Sequence, residues 1–252
     1  MIPAGRAEAA FWAAFLRNRN VDAGTASDGA VAVAGGFALC VLDTALEYTV
    51  GAGTTRPLRP DDIDVVEAFY GKRRLPARFE FDDAVLRRDE PMLRERGYLD
   101  DGPVSAVLEA PVSAGDATAD VEVRPTSDRR NWAELIARAT WGDEPVPPLA
   151  LRTTHIEAAA AQVLVIASIA GEDAGGAALG IVGDTAFLYA AGVVPAFRGR
   201  GVYGELIAAR LRLAVERGAE RAMLKTEPDA AAERVALRHG FTRTALRRCV
   251  RR

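Results

Sequence analysis

Three glycines and two arginines fall within seven residues, Arg198 to Gly204, in the stretch VVPAFRGRGVYGEL (193–206). An apolar run precedes them and an amphipathic run follows. Inside either element the glycines would be destabilising, but at a strand-to-helix junction they let the backbone come close to a ligand. A helix start exposes unpaired N–H groups and the positive end of the dipole, and so favours a phosphate. Glycines admit the phosphate oxygens to the amides, and the flanking arginines add charge. RGRGVYG therefore reads as a pyrophosphate cradle. It lacks the lysine and Ser/Thr of a Walker loop. Lying after three strands rather than one, it is not a dinucleotide fingerprint either.

Few other residues could do chemistry. His155 and His239 are too far apart for metal-ligand spacing, and Cys40 and Cys249 make neither a disulfide framework nor a metal site. The expectation is no metal, with both cysteines as inert packing in apolar strands. His155 lies in a helical stretch, LRTTHIEAAAA, and reads first as a surface residue. His239 precedes the glycine that ends its helix and reads as a capping charge. The C-terminal RRCVRR reads as the charged face of an edge strand, which blocks aggregation, before it reads as a nucleic-acid patch.

The elements that must position the cradle follow from periodicity. VEVRP is a short strand, and Ser127 or Asp128 caps a helix burying Trp132, Leu135, Ile136 and Ala139. VLVIASI (163–169) is apolar on both faces, as in a central strand. EDAGG reads as a turn into the strand AALGIVGD, and TAFLYAAGVVP is a third strand. After the glycine loop comes a helix with Leu206, Ile207, Leu211 and Ala214 at helical spacing. RAMLKTEP is a strand, Asp229 caps the helix AAAERVALRHG, and FTRTALRRCVRR alternates as a last strand. In the N-terminal region, Phe11, Trp12, Phe15 and Leu16 share one helical face.

PVSAGDATAD (111–120) reads as a linker between units at 1–115 and 119–252. The two parts echo each other, each running helix, strand, helix, an RGY or HGF corner, then strand. Only the second has the glycine loop. The corresponding YTVGAGTTRPLRPDD lacks paired arginines and a clear strand-to-helix loop.

At 252 residues and 49% hydrophobic, the chain can build two small cores. Its longest uncharged apolar run, Ala30 to Leu42, is 13 residues, too short to cross a bilayer. No membrane association and a cytoplasmic location are expected. The net charge of −3 argues against general nucleic-acid binding. From Thr185 onward, however, 14 basic residues face 6 acidic ones, a net of +8 that suits an anionic ligand.

VVPAFRGRG, followed by an amphipathic helix, a strand, a helix and GF, resembles the GNAT superfamily of acyl-CoA-dependent N-acyltransferases. The family pattern Arg/Gln-x-x-Gly-x-Gly/Ala is matched by Arg198 and Gly201, with Tyr203 at the small-residue place and Gly204 next to it. The resemblance covers roughly 119–252, and 1–115 only as a degenerate copy without an acyl-CoA site. It implies two tandem α/β units of α+β type, each a mixed, mostly antiparallel sheet flanked by helices.

It further implies acetyl-CoA as cosubstrate. Val193 and Val194 would pair with the pantetheine arm, one N–H polarising the thioester carbonyl. Arg198, Gly199, Arg200, Gly201, Val202, Tyr203 and Gly204 would hold the pyrophosphate. The acceptor would be the primary amine of a small molecule or peptide, acetylated by direct transfer in a ternary complex of a monomer or homodimer. The tyrosine that serves many family members as acid is Ala236 here. The strand before the loop lacks the usual glutamate, Tyr189 being its one ionisable side chain. Glu227, where the next strand ends, is the candidate base, acting directly or through a water. Without a dedicated acid, a non-catalytic acyl-CoA sensor or scaffold is the alternative.

Overall fold

The structure is a computed structural model. It describes residues 4–23, 29–41, 44–113 and 120–252, with side chains in the first stretch only from residue 6 to 16. Most of the expected linker, residues 114–119, and Leu42 of the apolar run lie outside the described residues.

The chain opens with α1 (Ala4–Ala23), a hairpin of β1 (Gly29–Val33) and β2 (Gly36–Cys40), and β3 (Glu47–Val50). Next come α2 (Pro60–Gly71), β4 (Arg78–Asp82), α3 (Asp83–Glu95) and the long β5 (Leu99–Pro111). There follow β6 (Glu122–Thr126), α4 (Arg129–Trp141), α5 (Pro148–Ala160), β7 (Val163–Ile169), β8 (Glu172–Val182) and β9 (Thr185–Val193). A short 3-10 turn, Pro195–Phe197, leads to α6 (Val202–Glu216). Then come β10 (Arg221–Thr226), α7 (Ala231–Arg238) and β11 (Thr242–Arg251). The order α2-β4-α3-β5 is repeated as α6-β10-α7-β11.

Two compact units result, Met1–Val107 with Thr244–Arg252, and Leu108–Arg243. The divisions fall inside β5 and inside β11. In the first unit β1, β2 and β3 pair antiparallel in turn, β3 and β4 run parallel, and β4 pairs antiparallel with β11. Its core joins Ile63, Val66 and Tyr70 of α2, Phe79 and Phe81 of β4, Leu86 and Leu93 of α3, and Val250 of β11. Phe11, Trp12 and Leu16 of α1 are buried as their spacing predicts.

In the second unit β6, β7, β8 and β9 pair antiparallel in turn, and β9 runs parallel to β10. The strand pairing within each unit is thus mixed and mostly antiparallel, as expected. Asp128 caps α4, accepting from the Asn131 N–H at 3.0 Å. The four apolar side chains expected to be buried on α4, and the four on α6, are all buried. Trp132 anchors α4 by donating its indole N–H to the carbonyls of Val165 and Ala177, each at 3.2 Å.

Four local expectations fail for identifiable reasons. EDAGG is strand rather than turn, because a register shift at Ala167/Ser168 lets β8 keep pairing back to Glu172. Asp229 does not cap α7. It is held at a φ of 61° with its own N–H donating to Glu233 Oε2, and Ala230 is the N-cap. The segment after β3 does connect strand to helix, running from Val50 to Pro60. Finally, β11 is no edge strand, since it lies between β4 and β5. Its arginines meet acids there: Arg248 pairs with Asp100 and Arg251 with Asp101.

Candidate acyl-donor site

The site begins with a defect in strand pairing. Gly176 lies opposite Gly192 and Ala178 opposite Tyr189, so Ala190 and Ala191 of β9 face the single residue Ala177 of β8. Ala190 carries a φ of 45°, the left-handed conformation such a bulge demands and alanine resists. On the other side of β9, pairing with β10 stops at Leu188↔Leu224. Beyond that point the strands part, although β9 continues to Val193 and β10 to Thr226. Past the bulge, the β10-facing edge of β9 has no strand partner.

Immediately after the bulged strand comes the glycine loop. Gly199 and Gly201 have φ of 76° and 81°, and Gly201 is the N-cap of α6. Both conformations need glycine. The first helical bond of α6 runs from the Glu205 N–H to the Gly201 carbonyl. The amides of Gly199 through Gly204 donate to no described residue. That leaves six donors at the positive end of a 15-residue helix.

A cavity of about 760 Å³ joins these two features. Its walls are Ala191–Val193 of β9, the loop and first turn of α6, the end of α4 at Ala139 and Thr140, and one face of α7. Of the residues expected to hold the ligand, Val193, Arg198, Gly199, Gly201, Val202, Tyr203 and Gly204 line it. Val194 and Arg200 do not. Val194 donates its N–H to the Ala174 carbonyl, extending the β8 pairing, and Arg200 lies over the Phe197 ring. Arg198 braces rather than reaches out. Its guanidinium donates to the carbonyls of Val193 at 3.2 Å and Ala139 at 2.8 Å, tying β9 to α4.

His239 is the C-cap of α7, but its ring is also part of the cavity wall. A Cβ on Gly204 would lie 2.8 Å from its Nε2, so the third glycine makes room for this imidazole. Burial holds His239 below its ordinary pKa, which disfavours the capping charge expected of it.

The two candidate proton-handling residues are not in the cavity wall. Glu227 is exposed, just past the end of β10. Tyr189 is buried, stacked on Phe187, and its hydroxyl donates to the Glu157 carbonyl at 3.1 Å. Burial, with the nearby Glu157 charge, raises its pKa well above the ordinary value. Glu157 itself was not picked out from sequence. Burial pushes its carboxyl up to about 7, an effect that Lys225 opposes. His155 is exposed on α5, as expected.

In the first unit the corresponding helix start carries its own acid. Asp62 accepts from the Arg59 N–H at 2.8 Å and pairs bidentately with Arg56 at 2.6 and 2.7 Å. Arg88 donates to the Gly53 carbonyl at 2.8 Å.

A bulged strand thus parts from its parallel neighbour and feeds a helix start rich in free amides. Residues 127–241 match the model of the Acetyltransferase (GNAT) family, and this part of the chain is a GNAT acetyltransferase domain. No curated protein matches the chain in sequence. Among solved structures, a GCN5-related N-acetyltransferase from Kribbella flavida superposes with a TM-score of 0.62 at 15% identity, over 95% of both chains. A second GCN5-related N-acetyltransferase, from Sphaerobacter thermophilus, gives 0.57 at 15% identity, over 81% of this chain and 71% of that one. A tandem GNAT protein from the clavulanic acid biosynthesis pathway gives 0.56 at 12%, over 81% and 73%. These likenesses are of fold. Among the described residues no three His, Cys, Asp or Glu side chains are grouped to hold a metal, and no helix is long and apolar enough to cross a membrane.

Proposed function

We propose that the chain transfers an acetyl group from acetyl-CoA to the primary amine of a small molecule or peptide, directly, in a ternary complex. The observation that carries this reading is the loop of free amides at Gly199–Gly204, of which all but Arg200 line the same cavity as the unpaired edge of β9. A pyrophosphate is matched by the amides and dipole at the helix start. An extended amide-bearing arm is matched by a strand edge without a partner. The bound donor supplies an activated thioester, and the chain's own main-chain groups orient it along β9.

The residues proposed to hold the donor are Val193, Arg198, Gly199, Gly201, Val202, Tyr203 and Gly204. Arg198 does so by fixing the end of β9 rather than by lending charge. Val194 and Arg200 remain outer members of the same loop. Glu227 and Tyr189 stand as the proton-handling candidates named from sequence, each open to substitution by Gln and Phe.

Donor binding is proposed for 119–252 alone, because the first unit's helix start is filled by its own Asp62. Calorimetry with coenzyme A should show one site per chain. Release of free thiol from acetyl-CoA should then depend on an added amine, with tyramine, putrescine and a glycine-initiated tripeptide as first acceptors. Two equal sites would sink the assignment to one unit. Tight binding without amine-dependent release would leave a sensor in place of an enzyme.

A further inference from the structure

Where β9 and β10 part, a second group of side chains meets outside the donor cavity. In the parallel register Tyr189 and Lys225 are the first residues past the last pair, Leu188↔Leu224. Strand alternation places both on the face that carries Phe187. On that face the Tyr189 hydroxyl donates to the Glu157 carbonyl, which brings α5 over the parting point. The Glu157 side chain is part-buried, and its carboxylate, within electrostatic reach of Lys225, accepts no hydrogen bond from a described residue. Lys225 of β10 is the charge that acts on it, while Arg129 of α4 acts on Tyr189 beside it. Ala191, the first β9 residue in the cavity wall, is two positions beyond Tyr189.

We propose that Glu157 is the proton acceptor for the incoming amine, with Lys225 beside it as a positioning residue. The proposal rests on the acetyl-transfer reading above. The amine reaches the site mostly as an ammonium ion at neutral pH. One of its protons passes to the Glu157 carboxylate, and the freed nitrogen lone pair forms the C–N bond at the thioester carbon. The C–S bond breaks, and the departing thiolate takes the nitrogen's second proton. Glu157 then returns its proton to solvent. A base is most effective when its pKa lies near the working pH, and burial pushes this carboxyl up to about 7. Glu227 is in open solvent beyond the corner.

Two measurements test this. In the pH profile of kcat/KM, activity should rise with pH through about 7 as Glu157 loses its proton. Glu157→Gln should lower kcat/KM on the order of a hundredfold at neutral pH and abolish that rise, with coenzyme A affinity retained. Lys225→Met should move the rise to higher pH, since the ammonium favours the ionised carboxylate. Independently of turnover, ¹³C NMR of the glutamate carboxyls should show one titrating near 7 that vanishes in Glu157→Gln and shifts upward in Lys225→Met. Should Glu157→Gln not fold, Glu157→Asp and Lys225→Met carry the same readouts. A rise that survives in Glu157→Gln and disappears in Glu227→Gln overturns the proposal. So does a Glu157 carboxyl titrating in the ordinary range. If the parent chain acetylates none of the three amines, the acetyl-transfer reading fails with it.

Discussion

Gly201→Glu should abolish coenzyme A binding in calorimetry while the chain stays folded. Gly201 is the exposed N-cap of α6 and lies in the cavity wall, so a carboxylate there would sit among the amides proposed to receive the pyrophosphate. The substitution acts twice. It places negative charge against an anionic ligand, and it puts a side chain at a φ of 81°. Gly201→Ala separates the two, because it keeps the strain without the charge. The alanine variant should lose about tenfold in affinity and the glutamate variant at least a thousandfold, beyond the reach of the titration. Since a Cβ at Gly201 meets nothing within 4 Å, overpacking contributes nothing to either result. Unchanged binding in Gly201→Glu would move the ligand away from this loop.

The second large effect concerns stability. Arg247→Met should destabilise the first unit by about 3–5 kcal/mol, read as a fall in its urea midpoint. Arg247 and Glu8 are both fully buried and directly paired, and Arg247 also donates to Asp82 at 3.0 Å. Tyr48 adds a hydrogen bond to Glu8 at 3.1 Å. Burial on its own would lower the Arg247 pKa, but Glu8 and Asp82 more than reverse this and keep it cationic. Removing the guanidinium takes the Arg247 charge away from the fully buried Glu8 carboxylate, which is the costly half of breaking such a pair. Adding Glu8→Gln should therefore restore part of the loss. A double variant less stable than Arg247→Met alone would show that the lost charge pair is not the cause.

Elements whose burial follows from their own periodicity were legible in the chain. The residues that bury on α4 and α6, and the bounds of β7, follow from local apolar spacing that needs no distant partner. The backbone of the strand-to-helix loop was legible for a similar reason, because glycine at Gly199 and Gly201 signals left-handed conformation. Long-range geometry hid the rest. The bulge at Ala190 carries no glycine to announce it, and EDAGG looks like a turn until β7 is there to pair with it. Asp229 has the composition of a cap, but Arg243, distant in sequence, binds its carboxylate at 2.6 Å. Glu157 stands in an alanine-rich helix of low amphipathicity. Only the folded chain brings Lys225 and Tyr189 to it.

The last nine residues, Thr244–Arg252, complete the unit that begins the chain. As the polypeptide leaves the ribosome, the segment Leu108–Arg243 is contiguous and can close on contacts within itself. The first unit cannot. Its α1 must wait for an arginine 239 positions away, and β4 must wait for the antiparallel neighbour that covers its edge. Contacts of such separation form slowly because a long loop has to be ordered before any reward arrives. The half made first should thus be finished last, after the second unit has closed. Pulse-labelled hydrogen exchange should see the amides of β7–β9 protected before those of β4, and the reverse order would contradict this. Synthesis halted before Arg247 would yield a closed second unit beside a first unit whose bare β4 edge invites pairing with another chain.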